Sequence, residues 1–119
     1  MPGCDPVQPD FVVVLASRAS IIHDKRIWGV PDLIVEILSP GNMLYDREVK
    51  LRAYERAGVP EYAIIEAAAR TLSHYRLDPA GHFASARPYG EDDAVSFDCL
   101  PSISVRIGDL FAGAPDTTL

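Results

Sequence analysis

A carboxylate stands inside an otherwise apolar, β-branched run at Leu33-Ile34-Val35-Glu36-Ile37-Leu38. Burying an ionised carboxylate is costly unless a metal, a cation or hydrogen bonds compensate it. Glu36 is therefore a metal ligand, an edge-facing side chain or the partner of an arginine. A second apolar run, Phe11-Val12-Val13-Val14-Leu15, follows Pro9-Asp10, just as Leu33 follows Pro31-Asp32. If the two runs pair as an antiparallel hairpin around residues 16–30, Leu15 lies opposite Pro31 and Asp10 opposite Glu36. Directly opposed residues sit about 5 Å apart. Two converging carboxylates suit a hard divalent cation such as Mg²⁺ (or Mn²⁺), which takes one or two carboxylates plus waters and substrate phosphate. Asp32 is too far along an extended strand to join them, about 13 Å from Glu36, and reads as an ordinary opening residue of its strand.

Positive charge is unevenly spread. Nine of the eleven basic residues are Arg, and Arg47, Lys50, Arg52 and Arg56 fall close together. A lysine in so Arg-rich a chain raises the question of what a compact point charge does there that a guanidinium could not. Lys50 and Tyr54 are spaced i, i+4 and share a helix face, as do Asp46 and Lys50. The bland readings stay open: a surface ion pair for Asp46 and Lys50, and a core aromatic for Tyr54. Ser39 has no base beside it in sequence, so serine chemistry has no support.

The elements that must position these groups read as one mixed α+β domain spanning 1–119, with a mostly antiparallel sheet. Strands are expected at 11–15, 31–38, 61–66, 71–77, 82–88, 94–97 and 103–107. The main helix is expected over about 45–57, because YDREVKLRAYERA lacks Gly and Pro and Gly58 can end it. A short helix near 109–112 closes the chain. At 119 residues and 48% apolar, the chain buries one core.

Composition narrows the function classes. The net charge of −6 argues against a protein that coats nucleic acid, since phosphate binding depends on Lys and Arg. It leaves room for an enzyme with a local basic wall beside an acidic site. Cys4 and Cys99 with His23, His74 and His82 lack zinc-ligand spacing, so both cysteines read as plain thiols. No apolar run reaches membrane-spanning length and no signal peptide opens the chain, so a soluble cytoplasmic protein is expected.

The stretch PDLIVEILSPGNMLYDREVKLRAYERAGVPEYAIIEAAARTLSHYRL resembles the central signature of the Uma-two family, within the PD-(D/E)XK nuclease superfamily. Its elements are a Pro-Asp strand ending in Glu and Ser-Pro, Asp-x-x-x-Lys-x-x-x-Tyr on a helix, then Gly-Val-x-Glu-Tyr and a hairpin. QPDFVVV and LPSISVRIGDLF match the family's first strand and its C-terminal end. The resemblance implies a restriction-endonuclease-like core and a Mg-dependent endonuclease acting on phosphodiester bonds in DNA. Asp10 and Glu36 would be the two metal-binding acids, with the Ile37 carbonyl as a further metal ligand. The superfamily's lysine, two residues after the second acid, is replaced here by Leu38. Lys50 is its natural substitute, with Asp46 and Tyr54 in support, since Lys50-x-x-x-Tyr54 is similar to a Gln-x-x-x-Tyr helix motif of RecB-like nucleases.

Relatives carry a further helix and opening strand before this point, so the chain reads as N-terminally truncated. The apolar strands thus uncovered predict a two-fold homodimer. Its interface would involve the first strand or the Trp28 loop and bury at least ~1,000 Å². The rival function is an inactive nuclease-fold remnant serving as a dimerisation or interaction module.

Overall fold

The computed structural model describes residues 11–16, 22–23, 26–27, 29–38 and 43–111. The strands are β1 (Phe11–Val13), β2 (Ile22–His23), β3 (Arg26–Ile27) and β4 (Leu33–Leu38). Helix α1 (Met43–Ala57) leads into β5 (Glu61–Glu66), β6 (Thr71–Arg76), β7 (Arg87–Tyr89), β8 (Ala94–Val95), β9 (Val105–Arg106) and α2 (Ile107–Phe111). Five strands form the main sheet in the order β1-β4-β5-β6-β7. All neighbours are antiparallel except β4 and β5, which α1 joins as a parallel crossover.

β1 and β4 pair in the expected register, with Phe11 opposite Val35 and Val13 opposite Leu33. Asp32 ends this pairing. Its N–H donates to the Val13 carbonyl at 2.9 Å, and its buried carboxylate accepts from the Leu15 N–H at 2.8 Å. β1 therefore stops at Val13 rather than Leu15. The segment 16–30 holds a small hairpin of β2 and β3, and Trp28 lies outside the described residues.

Side chains alternate across β4, as the pleat requires. Leu33 and Val35 pack on one face with Ala63, Leu72, Tyr89, Val95 and Ile107. Ile34 and Leu38 pack on the other with Tyr54, Val59, Tyr62 and Ile64. Tyr54 comes from α1, so the helix covers the face to which Glu36 also belongs.

The end of α1 follows from Gly58. Its φ of 81° is left-handed, its N–H donates to the Glu55 carbonyl at 3.1 Å, and Val59 N–H reaches the Tyr54 carbonyl at 3.1 Å. This double closure is the glycine-terminated C-cap, completed by the packing of Val59 with Tyr54. It aims the chain directly into β5.

Other boundaries differ from expectation too: β4 opens at Leu33 rather than 31, β8 ends at Val95 rather than 97, and β9 covers only Val105–Arg106 of the expected 103–107. α1 begins two residues earlier, at Met43, because nothing in Met43-Leu44 opposes helix. α2 occupies Ile107–Phe111 rather than 109–112, and Ile107 is fully buried against the sheet. The expected strand at 82–88 is largely loop. The Asp78 carboxylate accepts the Ala80 and His82 N–H groups, so the chain turns there and only a single bridge, Leu77 to Phe83, precedes β7.

Candidate active site

Glu36 sits on the α1-facing side of β4 and is 1% exposed. α1 runs over it, presenting residues three and four positions apart along one face. Tyr54, fully buried, donates its hydroxyl to Glu36 Oε1 at 2.7 Å. One turn earlier, Lys50 donates from Nζ to Glu36 Oε2 at 3.0 Å, with its side chain 21% exposed. The carboxylate is buried rather than edge-facing, and among the described residues the cation set against it is Lys50 rather than an arginine. It is a buried anion held by a lysine and a phenol from one helix face.

The charge of this cluster explains its geometry. An unpaired buried carboxylate costs several kcal/mol. Lys50 supplies the counter-charge from a side chain that is 21% exposed. A carboxylate offers about four lone-pair sites, so Glu36 accepts from Tyr54 and Lys50 together. The donor set is hard oxygen, which fits Mg²⁺ or Mn²⁺ rather than zinc or copper. Among the described residues, no three His, Cys, Asp or Glu side chains gather as a metal cluster. A site here therefore takes Glu36 as its described carboxylate. Asp10 lies outside the described residues, as does the side chain of Asp46, whose backbone is in the first turn of α1. The Ile37 side chain points away to the opposite face and is 54% exposed.

Two further groups flank the cluster. Arg47 lies one turn before Lys50, and its Nη1 donates to Glu66 Oε1 at 2.7 Å. Its Nη2 lies 3.4 Å from the Tyr75 hydroxyl. Glu66 is the last residue of β5, opposite Leu38.

Sequence reasoning missed a second buried carboxylate. Glu61, at the start of β5, accepts from His74 Nε2 at 2.9 Å and from the N–H groups of Asp98 and Cys99 at 2.7 and 2.9 Å. Burial acts to raise its pKa, and the hydrogen bonds from His74, Asp98 and Cys99 outweigh it, leaving the carboxyl below its ordinary range. His74 is equally buried, and its Nδ1 has no hydrogen-bond partner among the described residues. The signal was present in EYAIIE, where an acid opens an apolar strand as Asp32 does. Its partners, 13 to 38 residues away, were not legible. Burial first, then the nearby Glu61 charge, pushes the Cys99 thiol up to about 12, so Cys99 is no nucleophile. The Glu61 cluster ties the 97–100 turn to the sheet.

The site therefore lies at the carboxyl end of the parallel β4–β5 pair, where open sheets with parallel strands commonly place their chemistry. A comparison with solved structures finds the crystal structure of a "putative nuclease belonging to DUF820" from Anabaena variabilis ATCC 29413. It matches with a TM-score of 0.71 at 21% identity, covering 88% of this chain and 59% of that one. The chain thus spans 59% of that structure's length, and the likeness establishes a shared fold. No curated protein matches. The model of the Uma2 family, described as "putative restriction endonuclease", matches residues 2–108. With that match running over nearly the whole chain, the protein belongs to the Uma2 family.

Proposed function

We propose that the protein is a metal-dependent endonuclease hydrolysing phosphodiester bonds in DNA, with Mg²⁺ or Mn²⁺ as cofactor. The observation that carries this reading is the buried Glu36 carboxylate gripped by Lys50 and Tyr54. A structural carboxylate gains little from such a position. A catalytic one gains a fixed orientation in a low-dielectric site.

In this reading Glu36 and Asp10 hold the cation, with the Ile37 carbonyl as a third oxygen. When bound, such a cation would activate a water at neutral pH and offset charge on the scissile phosphate. Tyr54 fixes one carboxylate oxygen of Glu36 and so sets the direction of its lone pairs. Lys50 balances the Glu36 charge. Its compact positive charge beside Glu36 would also orient the attacking water and stabilise negative charge growing on the phosphate. Asp46, in the first turn of α1, supports Lys50.

Cleavage of supercoiled plasmid is the test. Nicking that requires Mg²⁺ or Mn²⁺, stops in EDTA and disappears in Glu36→Gln supports the reading. A clean preparation inert with every divalent ion sinks it.

We further propose a homodimer. The sheet face opposite Glu36 bears an open apolar groove of about 560 Å³, lined by residues including Val13, Val35, Ile37, Leu72 and Phe111. Phe11, Ile37, Ile103 and Leu110 are exposed along it. β1 borders the groove and is the edge strand among the described residues, so an unpaired strand edge adjoins an apolar face. A second copy related by a two-fold axis covers both at once. Light scattering at micromolar concentration should give twice the 13.0 kDa chain mass. A monodisperse monomer would remove the dimer from the account. No helix among the described residues is long and apolar enough to cross a membrane.

A further inference from the structure

From the Lys50 turn toward its N-terminus, α1 carries a third group on the same face. Exposure rises along that face, from Tyr54, fully buried, through Lys50 to Arg47, whose side chain is 28% exposed. Arg47 therefore stands at the more exposed end of the helix face that covers Glu36. Its guanidinium is held from two sides, by Glu66 and by the Tyr75 hydroxyl. Guanidinium offers five N–H donors, and these two contacts occupy one each. The remaining donors have no partner among the described residues.

The position of Glu66 sets where they lie. Glu66 is opposite Leu38, two residues beyond Glu36 on the same strand face, a step of about 7 Å along the strands. That step is on the order of the spacing between neighbouring phosphates in a nucleic-acid strand. A planar, pre-oriented fork suits phosphate oxygens better than a mobile lysine. In a chain of net charge −6, a polyanion must be met by local cations of this kind.

We infer that Arg47 is a substrate-binding residue that grips the phosphate next to the scissile one, with Glu66 and Tyr75 as its positioning residues. This rests on the nuclease reading above. Arg47 takes no part in the chemical step. It raises the affinity for a strand laid across Glu36 and Lys50 and fixes which phosphate falls at the cation.

The competing role for Arg47 is a tie between helix and sheet, and the two roles separate by charge. Steady-state cleavage of a fluorescein-labelled DNA duplex should show Arg47→Gln raising KM about tenfold, with kcat changed less than about threefold. The slope of log KM against log salt should fall by about 1, the loss of one phosphate contact. Arg47→Lys should recover the salt slope, since it keeps the charge, while KM stays above wild type. Glu66→Gln keeps the cation and removes the carboxylate that orients it, so it should raise KM less than Arg47→Gln does and leave the salt slope at the wild-type value. Melting temperatures identify any variant that fails to fold, in which case Arg47→Lys and Glu66→Gln carry the test.

If Arg47→Gln leaves KM and the salt slope unchanged, or if Glu66→Gln lowers the salt slope as much as Arg47→Gln does, Arg47 is a structural tie and the inference falls while the nuclease reading stands. A wild-type protein that cleaves no duplex overturns both.

Discussion

Replacing Lys50 with Met is expected to lower kcat for DNA cleavage by about 10²–10³, the loss typical of removing one donor that stabilises charge in a transition state. Met keeps the unbranched stem that packs along α1 and removes only the ammonium 3.0 Å from Glu36 Oε2. Lys50→Arg should not restore the rate. A planar fork placed on a buried carboxylate turns its donors onto Glu36 and cannot present a compact charge to the water and the phosphate. Lys50→Met should also lose stability, because Glu36 is 1% exposed and loses the ammonium that faces it. A Lys50→Met enzyme cleaving at the wild-type rate would reduce Lys50 to a structural ion pair.

The second large effect concerns stability rather than turnover. Glu61→Gln should cost about 3 kcal/mol, as expected for removing the charge from a buried, multiply hydrogen-bonded carboxylate. Gln keeps one oxygen for the His74, Asp98 and Cys99 donors and brings an NH₂ group that meets donors where it needs acceptors. The pH dependence follows from the direction of the shift. The folded-state pKa of Glu61 lies below its ordinary value, near ~4.3 for an unperturbed Glu. Its contribution is therefore fully present above that value and is lost as pH falls through the folded pKa. Urea denaturation should show wild type and Glu61→Gln well separated at neutral pH and converging at acidic pH. A constant gap across that range would mean that Glu61 holds the 97–100 turn by shape rather than by charge.

What could be read from the sequence was local or governed by a simple period. Lys50 and Tyr54 share a helix face by spacing alone, and Glu36 declared itself as a charge in an apolar run. The β1–β4 register followed from matching two Pro-Asp runs, so the face carrying Glu36 was fixed before any tertiary contact was known. What could not be read depends on register between distant segments. Glu61 meets His74 because the β5–β6 hairpin sets Ala63 opposite His74, and it meets Asp98 and Cys99 because a later turn folds back over the sheet. Arg47 looked like one of several surface arginines. Only the parallel alignment of β4 with β5, which places Glu66 beside Leu38, gives it a partner and a position. The left-handed residue Arg70 in the β5–β6 turn, φ 53°, likewise carried no sequence signal, since glycine usually takes that conformation.

The central claim is that Glu36 is a metal ligand in a site completed by Asp10, and Mn²⁺ titration by isothermal calorimetry tests it most directly. Saturable binding of Mn²⁺, competed by Mg²⁺, is expected in the wild type and should disappear in both Glu36→Gln and Asp10→Asn while both variants remain folded by circular dichroism. Undiminished Mn²⁺ binding in Glu36→Gln would contradict it.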